Sequence, residues 1–400
     1  MLPPSFDATP SLLGYLYQLR YGLLVALEKS IELNDIDDCT ITIETIDDLS
    51  VEENAISSEL IQTKHHISKG NLTDKSTDIW RTLRVWCEKV SNQITFLERF
   101  PVLTLLTTET AVDGSLAALL SPIQSMRDEM AALKLMREIA ECGGNKSNAD
   151  AYSAFLNLDT EQQHRLVSCI YVSSDAPNIA DVENRISNHL RLAVPLTSLQ
   201  AFTSRVEGIW FKWAIEAMIK KGPNSINLSE LIITLESMSK EYSADNLPAE
   251  YEDISTDEFI NTEKGKLYIQ QLEKLNATER TLKTAIKNCV KAKRQRSSWH
   301  RQGLLFPGEL LKYENRIIEE WEMHFDHIQI VQSSLPMDKQ GLAIYTECQT
   351  SGLKKIRPNF DSDYVARGTY HILADEVRIG WHPQFEQIFI LPNGADKRHK

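Results

Sequence analysis

Carboxylates, an amide and a lysine crowd one short stretch, IETIDDLSVEENAISSELIQTKHH, running from Ile43 to His66. Glu44, Asp47 and Asp48 precede a polar turn, and Gln62, Thr63 and Lys64 follow it. Carboxylates, an amide oxygen and water are hard ligands suited to Mg²⁺ or Mn²⁺. Such a cation polarises a phosphate and lowers the pKa of a bound water. A lysine beside it orients or deprotonates that water, or offsets charge in the transition state. The set therefore has the chemistry to cleave a phosphodiester. Asp48 is the expected main metal ligand and Glu44 the second. Gln62 offers its carbonyl oxygen and Thr63 its backbone carbonyl. Asp47 takes the place of Asp48 if a bulge exchanges their faces. The competing reading is a solvated hairpin with incidental charges, because a D-x(n)-[DEQ]-x-K string is short and degenerate.

The elements that would position this set follow from periodicity. Thr40–Glu44, Ile46–Val51 and Glu59–His65 read as three strands, with EENAIS turning between the second and third. Strand side chains alternate faces, so Glu44 and Asp48 share a side, as do Gln62 and Lys64. A hairpin register then brings Glu44, Asp48, Gln62 and Lys64 together at one sheet edge. Before the strands, Ser11–Leu33 repeats leucines at helical steps. After them, Thr77–Phe100 carries Trp80, Leu83, Cys87, Val90, Ile94 and Leu97 on one apolar stripe. Pro101–Thr107 and His164–Ser174 read as buried strands, and a helix runs from about Pro122 to Cys142. Further helices are expected over Ile179–Leu192, Ser198–Lys221, Asn276–His300 and Glu309–Gln332, with a polar linker or long loop over Tyr242–Asp257.

The fold class is α/β (α+β): a mixed sheet flanked by helices, followed by a mainly helical C-terminal domain. The expected division is residues 1–222 and 223–400.

Bulk composition narrows the function classes. The chain has 400 residues and a formal charge of −13, which argues against a surface that binds nucleic acid all over. Arg280–Gly308 is nonetheless rich in lysine and arginine and lacks acids, and Lys287, Lys291 and Arg294 there are candidate DNA-backbone contacts. One solvated face of an amphipathic helix explains them equally well. The scattered cysteines, the absence of an apolar leader and the lack of a spanning apolar run are expected of a cytoplasmic protein with no membrane partner. No G-x-x-x-x-G-K-[ST] occurs, so the chain is not expected to be an ATPase itself.

The strings SLLGYLYQLRYGLL, IETIDDLSV, ELIQTKHH and LTDKSTDIWRTLRVW, within residues 11–210, resemble the endonuclease domain of CBASS effectors and of Lamassu-type antiphage or antiplasmid nuclease subunits. That domain has the restriction-endonuclease fold of the PD-(D/E)xK superfamily. The resemblance implies a metal-dependent DNA endonuclease whose site falls on Asp48, Gln62 and Lys64, and on Glu44 and Gln18. His65, next to the motif lysine, is a candidate phosphate contact. VARGTYHILADEVRIGWHPQFEQIF is similar to the C-terminal module of three-component defence systems built around an SMC-like ATPase. It implies that ATPase and a further small subunit as partners, double-stranded DNA as substrate, and homo-oligomerisation on activation. The alternative is a scaffold with a retired nuclease fold that links an ATPase to DNA. RNA cleavage would use the same chemistry.

Overall fold

A computed structural model describes residues 9–33, 35–44, 47–66, 69–92, 100–219, 225–255 and 257–390. The chain forms two compact units: Met1–Leu192 with Thr203–Glu236, and Ala193–Phe202 with Ser237–Lys400.

The first unit is built on a six-stranded mixed sheet. In chain order its early elements are α1 (Thr9–Glu32), β1 (Cys39–Ile43), β2 (Leu49–Glu53), β3 (Ile56–Lys64), β4 (Asn71–Leu72), α2 (Thr77–Asn92), β5 (Val102–Thr107) and β6 (Thr110–Ala111). There follow α3 (Glu129–Cys142), α4 (Ala149–Leu156), α5 (Thr160–Cys169), β7 (Ile170–Ser173), α6 (Ile179–Leu190), α7 (Leu199–Ile219) and β8 (Ser225–Asn227). The strand order is β7-β5-β3-β2-β1-β8, and β4 and β6 pair separately. β1, β2 and β3 form an antiparallel meander; β5 then lies parallel to β3, and β7 parallel to β5. The parallel steps require helical crossovers, and α2 supplies the first.

The β2–β3 turn passes through Asn54 and Ala55, both with positive φ, 52° and 60°. Two left-handed residues in a row match the twist of a tight hairpin. A bulge between Val51 and Glu52 adjusts the register beside it.

The core explains why these elements assemble. Leu60, Leu103, Leu105, Ile170 and Val172 of the sheet are buried in one cluster with Trp80, Leu83, Trp86, Cys87 and Val90 of α2. The three- and four-residue spacing on α2 puts those side chains on one face. On α1, Tyr17, Leu23, Leu24 and Leu27 are buried. Gly22 lets that helix approach closely: a Cβ there would stand 3.1 Å from the Leu49 side chain and 3.3 Å from the Trp210 ring. Trp210 Nε1 donates to the Leu19 carbonyl at 2.7 Å.

Several expectations are corrected. The strand expected over His164–Ser174 is helix α5 up to Cys169 and strand only from Ile170. Asp159 and Gln162 form a reciprocal capping box that starts the helix, and local capping outweighs the apolar run. The helix expected from Pro122 begins at Glu129, behind an Asp128 cap. β1 stops at Ile43 and β2 starts at Leu49, so Glu44, Asp47 and Asp48 lie outside the strands. Residues 45–46, 93–99 and 220–224, within expected elements, lie outside the described residues.

The second unit is helical, with α8 (Leu228–Glu241) leading into it and α9 (Leu267–Lys274), α10 (Glu279–Arg301), α11 (Glu309–Val331), α12 (Met337–Thr350) and α13 (Tyr364–Asp375) forming its body. Gly368 brings α13 against the backbone of α10, since an added Cβ would run into the Asn288 carbonyl and the Ala292 methyl. Arg357 grips Glu309 through two hydrogen bonds of 2.8 and 2.9 Å, and Trp299 Nε1 donates to the Pro248 carbonyl at 2.8 Å.

Candidate active site

The candidate site sits where β3 ends, beside Glu44 and Asp48. The Asp48 carboxylate accepts from the Thr63 amide at 2.7 Å and from the Thr63 hydroxyl at 2.9 Å. Its backbone carbonyl accepts from Gln18 Nε2 at 2.6 Å and from the Glu44 amide at 3.0 Å. Glu44 holds a left-handed φ of 55°. A cavity of about 480 Å³ opens here, lined by Gln18, Glu44, Asp48, Thr63, Lys64, His65 and His66, with Tyr15 and Asp78 on its wall. Glu44 and Asp48 therefore share a cavity with Lys64.

Asp47 goes elsewhere. Its carboxylate accepts from Trp86 Nε1 at 2.8 Å and pairs with Lys89 at 3.6 Å, both on α2. The Asp47 and Lys89 side chains are 2% and 15% exposed. Burial pushes the Asp47 carboxyl above its ordinary range, with Lys89 and the Trp86 bond opposing it. Asp47 is tied to α2, whereas Asp48 faces the cavity.

Gln62 is next to residue 48 in register, one step beyond the pairing of Leu49 with Ile61. It is buried and lines a second recess, of about 310 Å³, with Lys64, Arg81, Arg84 and Asp150. Gln62 thus opens onto the second recess and Asp48 onto the first. Alternation along β3 places Gln62 with Lys64, and the Asp48 carboxylate is turned onto Thr63, one residue away and of opposite parity. Lys64, long and at the strand's end, lines both cavities.

His65 lies on the cavity wall with its ring 4.7 Å from that of Tyr17. Burial, and then the neighbouring His66, pull its pKa down, so it is a neutral hydrogen-bonding group rather than a cation. Its Nδ1 has no hydrogen-bond partner among the described residues. His66 Nε2 lies 2.6 Å from the Asp78 carboxylate. Sequence reasoning missed Asp78 and Glu109, whose ligand atoms and that of His66 all lie within 4.8 Å of one another. They come from the end of β3, the first turn of α2 and the β5–β6 link, and nothing in their spacing connects them.

The basic stretch of the second unit is less available than its composition suggests. Lys291 is 5% exposed, and its ammonium donates to the Glu252 carbonyl. Arg294 pairs with Glu258 at 3.8 Å, its guanidinium 4.4 Å above the Phe259 ring. Lys287 is exposed. Of the proposed DNA contacts here, Lys291 is corrected to a packing residue.

Residues 268–389 match the family model of C-terminal domain 7 of the ABC-three component (ABC-3C) systems. That match supports a subunit of a multi-component bacterial defence system. It lies within the helical unit and leaves the sheet and its cavities outside. No curated protein and no solved structure matches the chain. Among the described residues, no helix is long and apolar enough to cross a membrane.

Proposed function

We propose that the chain is the metal-dependent DNA endonuclease of such a defence system. Lys64 sharing a cavity with the Asp48 and Glu44 carboxylates carries this reading. The order α1, three-stranded meander, α2, parallel β5 supports it, being the arrangement that the restriction-endonuclease resemblance implies. The donor set suits a hard divalent ion: two carboxylates, with the Thr63 backbone beside them. Glu44 and Asp48 would hold Mg²⁺ or Mn²⁺, which supplies Lewis acidity toward the phosphate when bound. Gln18 and Thr63 keep Asp48 in place through the bonds described, so little reorganisation is needed. The Lys64 ammonium would donate to a non-bridging phosphate oxygen and offset its growing charge. His65, neutral, would offer a hydrogen bond beside it. Water attacks phosphorus, one P–O bond forms and one breaks, and the leaving oxygen takes up a proton.

Regulation rests on the same reading. The charge of −13 disfavours tight DNA binding by the isolated chain, so delivery by an SMC-like ATPase and a small subunit, or self-association on activation, would raise the effective concentration of DNA. The match of residues 268–389 supports that helical unit as the part that meets partners. The test is plasmid nicking by the complete assembly, wild type against Lys64→Ala, with and without Mg²⁺ or Mn²⁺. Nicking by the wild type alone, and only with the ion, is expected. An assembly that never nicks DNA or RNA under any of these conditions ends the proposal; RNA cleavage alone would reassign the substrate.

A second reading is favoured by one observation: Gln62 lines the second recess and not the cavity that Asp48 and Lys64 share. A retired nuclease fold that serves as a scaffold would tolerate that arrangement. It predicts that Asp48→Ala and Lys64→Ala leave defence intact.

A further inference from the structure

His66, Asp78 and Glu109 lie outside the set proposed to cleave DNA. We propose that they form a separate binding site for a transition-metal ion, of the Mn²⁺ or Zn²⁺ class. His66 and Asp78 stand on the wall of the 480 Å³ cavity.

Convergence is the first argument. One imidazole nitrogen and two carboxylate oxygens lie within 4.8 Å of one another, from three elements distant in sequence. Ligands of a tetrahedral ion with bonds near 2.1 Å stand about 3.4 Å apart, so closing onto an ion needs side-chain shifts on the order of 1 Å.

Charge is the second. The Asp78 carboxylate is met by His66 at 2.6 Å. The Glu109 carboxylate has no hydrogen-bond or ion-pair partner among the described residues, although it is drawn up beside another carboxylate. Two carboxylates this close repel each other, and a divalent ion between them relieves that repulsion.

Preorganisation is the third. The His66 amide donates to Thr108 Oγ1 at 2.8 Å, and the Thr108 amide donates to the Lys64 carbonyl at 3.2 Å. The Glu109 amide donates to Thr107 Oγ1 at 3.2 Å, and its carbonyl accepts from the Asp175 amide at 2.9 Å. Gly70 makes room for the Glu109 carboxylate, since a Cβ there would stand 2.9 Å from its Oε1. The backbones that carry His66 and Glu109 are therefore held whether or not an ion is present.

The donor set fixes the kind of ion. Mixed nitrogen and carboxylate ligands suit Mn²⁺ or Zn²⁺, whereas Mg²⁺ prefers oxygen alone. Three protein ligands would leave a coordination position open to water or to an oxygen of whatever enters the cavity.

The test is calorimetric titration of the untagged, EDTA-treated full chain with MnCl₂, and then ZnCl₂ in a Cys142→Ser background that removes the exposed thiol. Two Mn²⁺ sites are expected in the wild type, one of them retained when saturating Mg²⁺ is present. That Mg²⁺-resistant site should weaken at least tenfold in Glu109→Gln and in His66→Ala, and persist in Asp48→Asn. Glu109→Gln surrenders no contact among the described residues, so its fold, checked by circular dichroism, should be that of the wild type. Unchanged Mn²⁺ and Zn²⁺ binding by both variants, or no Mg²⁺-resistant site in the wild type, overturns the inference. Either result would leave the nicking proposal standing, because that depends on Asp48 and Lys64.

Discussion

The division of labour between Asp47 and Asp48 gives the sharpest prediction. Asp47→Ala removes the acceptor of the Trp86 indole N–H and a carboxylate paired with Lys89. A buried donor left unpaired costs about 1–3 kcal/mol, and removing one side of a buried ion pair about 3–5 kcal/mol. The two share one carboxylate and do not add, so a loss of about 3 kcal/mol is expected. In a domain of this size that lowers the midpoint of unfolding by roughly 6–12 °C. Asp47→Asn keeps an acceptor for Trp86 but not the charge that faces Lys89, and should lose less than the alanine variant. The sign of its pH dependence follows from burial, which places the folded carboxyl above its unfolded value. The stability that Asp47 contributes is then present in acid and lost as pH rises through the folded pKa. Asparagine does not titrate, so its disadvantage relative to the wild type should shrink as pH rises from 4 toward 7. Asp48→Asn should unfold within a few degrees of the wild type yet abolish nicking. Differential scanning calorimetry and plasmid nicking on the same four proteins decide the matter. Loss of nicking in a folded Asp47→Asn, with nicking kept in Asp48→Asn, would refute the assignment.

Thr63→Val removes the hydroxyl that donates to Asp48 and keeps the amide; a loss of about 1 kcal/mol and a several-fold fall in nicking rate are expected. Gly368→Ala forces α13 off α10 and should destabilise the helical unit by about 1–3 kcal/mol, read as an earlier unfolding transition. His371 is fully buried, and burial lowers its pKa to about 3, whereas the unfolded imidazole titrates near 6.5. Its contribution is present above pH 6.5 and lost on acidification, by about 2 kcal/mol at pH 5, and His371→Leu should flatten that acid slope in urea unfolding. Lys291→Ala should lower the stability of the helical unit while Lys287→Ala does not, because Lys291 is buried and Lys287 exposed.

Periodicity made the scaffold legible. The stripe on α2 and the run at Val102–Leu106 each declare how they pack, because burial on one face or on both leaves a repeat in the sequence. The meander was legible for the same reason. What escaped was decided by short-range bonding or by distant chain. The Asp159–Gln162 cap turned an apolar run into helix, and β8 joins the sheet through a three-residue pairing with β1. Within the site, alternation correctly joins Gln62 to Lys64. It does not reach Asp48, which lies before β2 starts at Leu49. The grouping of His66, Asp78 and Glu109 was invisible, being set by where three elements end.

Lys64 stands between two hollows that differ in charge: one bears the Glu44 and Asp48 carboxylates, the other Arg81 and Arg84. A single ammonium cannot be committed to both at the same moment. An anion lodged beside the arginines would compete for it and leave the acidic hollow without its positive arm. The two hollows are thus rivals for one side chain, and their occupants should exclude each other without any movement of the sheet.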